Sequence, residues 1–270
     1  MPASRRLAAL LFALGTQAAC GSGPEGPTGP SAGPADPDGA GPALIGTVRW
    51  AFDGDAWQAS GTPPECPSPL TFTTPADFSR ATSVLYPGQI RGDAYRPHGG
   101  LRFDAPGETG HVAVVAPMDG SVYRGARYLE RGELQYTFDF VHDCGIMHRF
   151  DHLRDLAPLL QQLADLLPPA REGDSRTTPV AGGRIVRAGE RLAAGVGGPA
   201  TRNIFFDWGV YDLRRRNDAS RNAAWLVAHP GEFAPYAICW FDNLPPVDAA
   251  LVRSLPPGSS ESGAFSDYCR

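Results

Sequence analysis

Val112-Ala113-Val114-Val115-Ala116-Pro117-Met118-Asp119-Gly120-Ser121-Val122 places two short strand candidates, 112–115 and 120–123, on either side of Pro117, Met118 and Asp119. Proline breaks a strand ladder and an Asp-Gly pair favours a turn, so the stretch predicts strand, turn, strand. Working outward, residues 45–52, 134–141, 145–150, 184–186, 203–213 and 236–240 are further strand candidates, each bounded by Gly, Pro or Asp. In the first of these, Val48, Trp50 and Phe52 alternate with other residues, as a half-buried strand requires. Many short strands with punctuated ends predict a mostly β fold, a sandwich or barrel.

One stretch departs from that pattern. Leu153, Leu156, Leu159, Leu160, Leu163, Leu166 and Leu167 recur at steps of mostly three and four before Pro168-Pro169. The spacing predicts an amphipathic helix inserted over 153–167, with its leucines on the core. Pro158 belongs in a first turn, so the helix proper is expected to begin near Ala157.

The start of the chain concerns destination. Arg5 and Arg6 precede an apolar run from Leu7 to Leu14, and Ala18-Ala19 supply small residues before Cys20. This predicts a signal peptide over 1–19, too short to remain as a membrane span. Gln17-Ala18-Ala19-Cys20 resembles a bacterial lipoprotein signal, which implies lipidation at Cys20; Gln17 stands where such signals usually have leucine. The expected product is an exported lipoprotein, periplasmic or at the cell surface, whose only membrane contact is its lipid. Residues 20–42, almost entirely small residues, proline and a few carboxylates, predict a disordered Gly/Pro-rich tether.

Composition narrows the function classes. With 24 basic against 29 acidic side chains and a formal net charge of −5, the chain has no basic excess for nucleic acid. Beyond Cys20, Cys66, Cys144, Cys239 and Cys269 form an even set, which in an oxidising compartment predicts two disulfides. Of three possible connectivities, Cys239 with Cys269 is favoured because it clips down a Pro/Gly/Ser-rich tail. A four-cysteine zinc site lacks the CxxC pair that would nucleate it. The same disulfide expectation argues against a nucleophile made of Cys144 with the flanking His142 and His148.

The run 112–122 resembles the "V-x-V-x-A-P-x-D-G-x-V" hairpin of the M23 peptidase family, the LytM-like endopeptidases with a duplicated-hybrid-motif β fold. Other blocks follow in the family's order. Tyr95-Arg96-Pro97-His98-Gly99-Gly100-Leu101-Arg102-Phe103-Asp104 is similar to the block holding "H-x-x-x-D", and Phe150-Asp151-His152-Leu153 is similar to "Y-x-H-L". Residues 186–193 resemble "V-x-x-G-x-x-I-G", and 198–210 take the place of "G-P-H-L-H-F-E-V". The resemblance implies an M23-like domain over 86–213, with 43–85 as an N-terminal β extension and 214–270 as a C-terminal appendage.

The family's chemistry carries over only in part. The resemblance implies a zinc held by His98, by the residue at 102 and by the second histidine of the last block. Arg102 has five donors, no lone pair and a permanent positive charge, and Asn203-Ile204-Phe205 replaces the histidine pair. His152 matches a family transition-state stabiliser. A displaced site built from His98, Asp104, His148, His152 and Asp207 is conceivable, but an arginine beside a dication opposes it by kilocalories per mole. The simpler expectation is that Arg102 pairs with Asp104 or Asp207 in a groove without metal. Trp208 and Val210 are expected in the core, and Arg214-Arg215-Arg216 in a solvated turn.

These readings converge on a groove lined by His98, Arg102, Asp104, His148, His152, Asn203 and Asp207, with no catalytic residue and no cofactor assigned. It is expected to bind peptidoglycan or an envelope partner such as a wall hydrolase. The alternatives are a zinc endopeptidase with atypical ligands and a purely structural envelope lipoprotein.

Overall fold

The computed structural model describes residues 46–270 except Ala181, all within the unit Leu44–Arg270. The expected signal peptide, Cys20 and the tether lie outside the described residues. The strands are β1 Trp50–Phe52, β2 Trp57–Ala59, β3 Ser83–Leu85, β4 Gln89–Arg91, β5 Ala94–Arg96, β6 Gly99–Arg102 and β7 Val114–Val115, followed by β8 Gly120–Glu130 and β9 Glu133–Val141. After them come β10 Ile146–Leu156, β11 Thr178–Pro179, β12 Ile185–Val186, β13 Arg191–Val196 and β14 Phe205–Asp212. The α-helices are α1 Pro158–Ala164, α2 Ala223–Ala228 and α3 Pro246–Ser254.

Among the described residues, ten strands join in one antiparallel sheet with the path β11-β8-β9-β10-β14-β6-β3, while β12 pairs with β8 and β13 with both β10 and β7. The mostly β expectation therefore holds. The opening stretch does not close on itself: β7 pairs with β13 and β8 with β9. The turn at Pro117-Asp119 sends the chain from one pairing to another. Hairpins β1–β2 and β4–β5 form separate two-stranded sheets.

Side-chain alternation gives the central strands one apolar face and a second face that is polar around Asp151 and Asp207 but packs Val141, Met147 and Tyr211 with Trp50 and Trp57 in a smaller core. Phe138 and Phe140 on β9, Ile146 and Phe150 on β10, and Phe206, Trp208 and Val210 on β14 are buried in one core. Register pairs Phe150 with both Phe138 and Trp208, and each such side chain contributes about 1.5–3 kcal/mol on burial. Phe138 lies opposite Gly125, where an added Cβ would come within 2.8 Å of its ring. The other phase of the same strands carries Gln135, Thr137, Asp139, Arg149, Asp151 and Asp207.

The leucine run is not one helix: it begins as strand and only its middle is helical. β10 continues through Leu153 and Leu156, which pair with Val196 and Ala193 of β13, and the helix is confined to Pro158–Ala164. Ala157 is its N-cap and Pro158 its first residue, as the missing N–H of proline requires. Leu160 and Leu163 face the core, whereas Leu166 is 81% exposed. Periodicity misled because the strand and the short helix each bury leucines, and the mixture happens to repeat at helical spacing. Residues 236–240 are likewise not a strand: short 3-10 turns at Ala234–Tyr236 and Trp240–Asn243 leave a single bridge between Tyr211 and Ala237.

Residues 43–85 and 214–270, read from sequence as an extension and an appendage, both contribute to this core. β3 forms an end of the sheet path, and the ring of Trp240 lies 4.6 Å from that of Trp208. The Asp143 carboxylate accepts from the Gly46, Thr47 and Val48 amides, pinning the first described residues. Two disulfides close the fold, the favoured Cys239–Cys269 and the remaining pair Cys66–Cys144. They fit an oxidising compartment. Among the described residues no helix is long and apolar enough to cross a membrane.

Candidate binding groove

Three neighbouring strands bring the polar groups together. β14 pairs with β10 on one side and β6 on the other, setting Asp207 opposite Asp151 and opposite Gly100. A Cβ on residue 100 would fall 2.3 Å from the Phe206 carbonyl oxygen and 2.8 Å from Asp207 Oδ1, so only glycine lets β6 approach this closely. His98, just before β6, then reaches across, with Nε2 3.1 Å from Asp207 Oδ2.

His152 arrives by a different device. With Ile146, His148 and Phe150 on the core face, unbroken alternation would bury it there too. Register against β9 instead shifts between Phe150 and Leu153, and His152 takes φ +65°. A bulge carrying a left-handed, non-glycine residue is strained by about 1–3 kcal/mol, and here it turns the imidazole onto the polar face. His152 Nδ1 lies 2.7 Å from Gln135 Oε1 and 3.1 Å from the Tyr128 hydroxyl. With the amide oxygen as acceptor, Nδ1 is the donor of that bond. Nε2 is 3.8 Å from Asp207 Oδ2, too far for a hydrogen bond.

Two carboxylates in register on one face repel each other unless each is separately satisfied. Asp151 Oδ1 accepts from the Tyr128 and Thr137 hydroxyls and from the His152 amide. Asp207 has His98 and Arg91, whose Nη2 is 3.5 Å from Oδ1. Burial pushes the Asp207 carboxyl up, but His98 and Arg91 together pull it well below the usual carboxylate range. Burial also pushes His98 down, outweighing the opposing pull of Asp207. The pair is therefore an ionised carboxylate accepting from a neutral imidazole.

Arg102 sits at the other end. Its Nε donates to Asp104 Oδ2 at 2.8 Å and its Nη2 to Asn203 Oδ1 at 3.2 Å, while its guanidinium lies 5.5 Å from the centre of the Phe205 ring. The expected arginine pairing thus goes to Asp104. The resulting groove, about 510 Å³, is lined by His98, Arg102, His152, Asn203 and Asp207. Asp104 touches it only through Arg102.

His148 does not belong to the groove. It lies on the core phase of β10, is 2% exposed, stacks on Trp208 and accepts a hydrogen bond from the Trp208 Nε1 at 3.3 Å. Burial holds its pKa down at about 3, so it stays neutral. Period two separates it from Asp151 as firmly as it joins it to Phe150.

Sequence reasoning overlooked Arg91, Arg96, Tyr128, Asp151 and Gln135. Gly92-Asp93, between 89–91 and 94–96, is a hairpin signal that would have placed Arg91 and Arg96 on one small element. The segment 258–261, which also lines the groove, carries no such signal. Among the described residues no group of three or more His, Cys, Asp or Glu side chains is placed to hold a metal ion. Compared with known proteins, the chain matches no family model, no curated protein and no solved structure.

Proposed function

We propose that this chain is an exported, lipid-anchored M23-like domain, a pseudopeptidase whose groove binds peptidoglycan or an envelope partner without zinc hydrolysis. The ordered sequence blocks support the ancestry. One observation carries the loss of hydrolysis: guanidinium groups occupy both ends of the groove. Arg102 replaces a metal-ligating aspartate and is held by Asp104 and Asn203. Arg91 already neutralises Asp207, the β14 residue that faces His98.

Zinc, which the resemblance implies, does not fit these residues. His98 and Asp207 are chemically able to ligate, yet Nε2 of His98 is directed at the carboxylate and Arg91 stands on its other oxygen. A dication added between them would face fixed positive charge on two sides. What remains suits recognition. Asn203, Tyr128 and His152 supply polar contacts for amide and hydroxyl groups, Phe205 supplies an aromatic face, and Arg96 lines the groove with an exposed side chain.

Two measurements on the purified mature domain test this reading. Metal analysis is expected to find no stoichiometric zinc, and co-sedimentation with purified peptidoglycan or capture of an envelope protein is expected to depend on His98 and Asn203. Stoichiometric zinc that is lost in His98→Ala would establish the endopeptidase alternative instead. Failure to retain either peptidoglycan or any envelope protein would favour a purely structural lipoprotein.

A further inference from the structure

The C-terminal segment after α3 forms part of the groove wall without forming a strand or helix of its own. Gly258 donates its amide to the Val84 carbonyl at 2.7 Å, and Val84 donates to Pro256, so the segment lies along β3 at the end of the sheet path. Residues 258–261 line the groove. The chain then crosses the β4–β5 hairpin. Gln89 Nε2 donates to the carbonyls of Gly263 and Phe265, the Asp267 amide donates to the Gly88 carbonyl, and the Tyr95 hydroxyl donates to Asp267 Oδ2 at 2.7 Å.

That hairpin is not paired with the main sheet. It nevertheless delivers Arg91, whose Nη2 reaches both the His98 carbonyl and Asp207. The position of the Arg91 guanidinium beside Asp207 therefore depends on the strap that overlies the hairpin. The strap is fastened by one covalent bond, Cys239–Cys269, closing a loop between residues 30 apart and ending at the penultimate residue. Cys239 and Tyr268 line a separate cavity of about 670 Å³, together with the arginine run 214–216, Arg221 and Arg270. The side chains of Arg215, Arg221 and Arg270 are mostly exposed, so this cavity opens to solvent. Asp212 and Asp218 on the same wall pair with these arginines, and Cys239 is itself buried, so the half-buried Cys269 is the more open end of the bond.

We infer that the Cys239–Cys269 disulfide is a redox latch on the groove: reduced by a dithiol, it frees the 256–268 strap, and the hairpin carrying Arg91 loosens from Asp207. In the exchange, a thiolate of the dithiol bonds to one strap sulfur as the protein's sulfur–sulfur bond breaks. The second thiol then closes the reductant's own disulfide and releases the first strap sulfur. Two electrons pass to the protein, and two protons end on Cys239 and Cys269. The latch rests on the groove being the functional site, but its test needs no ligand and stands or falls separately from zinc content or peptidoglycan retention.

The experiment is amide hydrogen exchange on the full mature chain, oxidised and after dithiol treatment, with the reduced cysteines identified by mass. Reduction of Cys239–Cys269 is expected to speed exchange at residues 89–96 and 256–268 by about tenfold or more, while β9 stays protected. Cys239→Ser with Cys269→Ser is expected to reproduce this without reductant, and Cys66→Ser with Cys144→Ser is not. If the serine variants fail to fold, the titration of the wild-type chain decides. Unchanged exchange at 89–96 after confirmed reduction overturns the latch. So does a parallel rise in β9, which would make the bond a staple of the whole fold.

Discussion

Asp151 and Asp207 stand directly opposite each other on β10 and β14, two carboxylates in register on one face of an antiparallel sheet. The repulsion is relieved unequally. Asp151 is surrounded by neutral donors, whereas Asp207 relies on Arg91 and His98. That asymmetry leads to the first expectation.

Replacing Asp207 with Asn should leave Arg91 nearly buried, 12% exposed, without its counter-charge. Breaking a buried pair from one side costs about 3–5 kcal/mol, and a value near the low end is expected because both groups retain some solvent. Urea unfolding of the single variants and of Asp207→Asn with Arg91→Met should yield a coupling above about 1 kcal/mol. The pH sign follows from the depressed Asp207 pKa: the carboxylate's contribution is complete above its unfolded value near 4 and is lost as pH falls toward the lower folded value. Wild type should therefore lose stability more steeply below about pH 4 than Asp207→Asn.

His148 acts in the opposite sense from an ion-paired histidine. Its folded pKa of about 3 lies below the unfolded value, so the unfolded chain binds the extra proton. Stability should fall as pH drops from about 6.5 toward that folded pKa, by up to about 1.4 kcal/mol per pH unit. His148→Phe removes this slope between pH 6 and 3. At pH 7 it should cost about 1–3 kcal/mol, because the Trp208 indole N–H loses its acceptor. Thermal unfolding across that pH range separates the two effects.

Trp240 joins the last quarter of the chain to the central strands through Trp208. Its side chain is fully buried, so Trp240→Ala should destabilise the domain by about 3–5 kcal/mol. A single cooperative transition should persist, since one core is shared. Separate unfolding of residues 214–270 would show that the C-terminal region is an independent body.

Arg102→Asp is expected to alter metal affinity more than stability. The arginine's ion pair with Asp104 is partly exposed and worth about 0–1 kcal/mol. The substitution removes a fixed positive charge from the groove that His98 lines and adds a carboxylate to it. Zinc retention measured after dialysis should rise relative to wild type; equal retention would argue against an ancestral metal site in this groove.

Several features were legible before folding was known. Gly, Pro and Asp punctuation marked seven of the fourteen strands among the described residues, Pro158 marked the start of α1, and Cys269 near the end of a Pro/Gly/Ser-rich tail pointed to Cys239. Of the seven residues expected in a groove, His98, Arg102, His152, Asn203 and Asp207 line one cavity, whereas His148 is in the core and Asp104 meets the cavity only through Arg102. Each of these signals is local, lying in backbone restriction, covalent reach or side-chain chemistry.

What the sequence alone determined is therefore a strand-rich chain, its cysteine set, and a permanent positive charge without a lone pair at Arg102. Tertiary structure decided which phase of each strand faces the groove. A bulge at His152 turned one imidazole outward while regular alternation kept His148 in the core. It also decided the partners of Asp207, since Arg91 lies 116 residues away in sequence on a hairpin outside the sheet, overlain by the C-terminal strap. The physical reason is that side-chain direction in a sheet depends on register, and register is settled by pairing between strands distant in sequence.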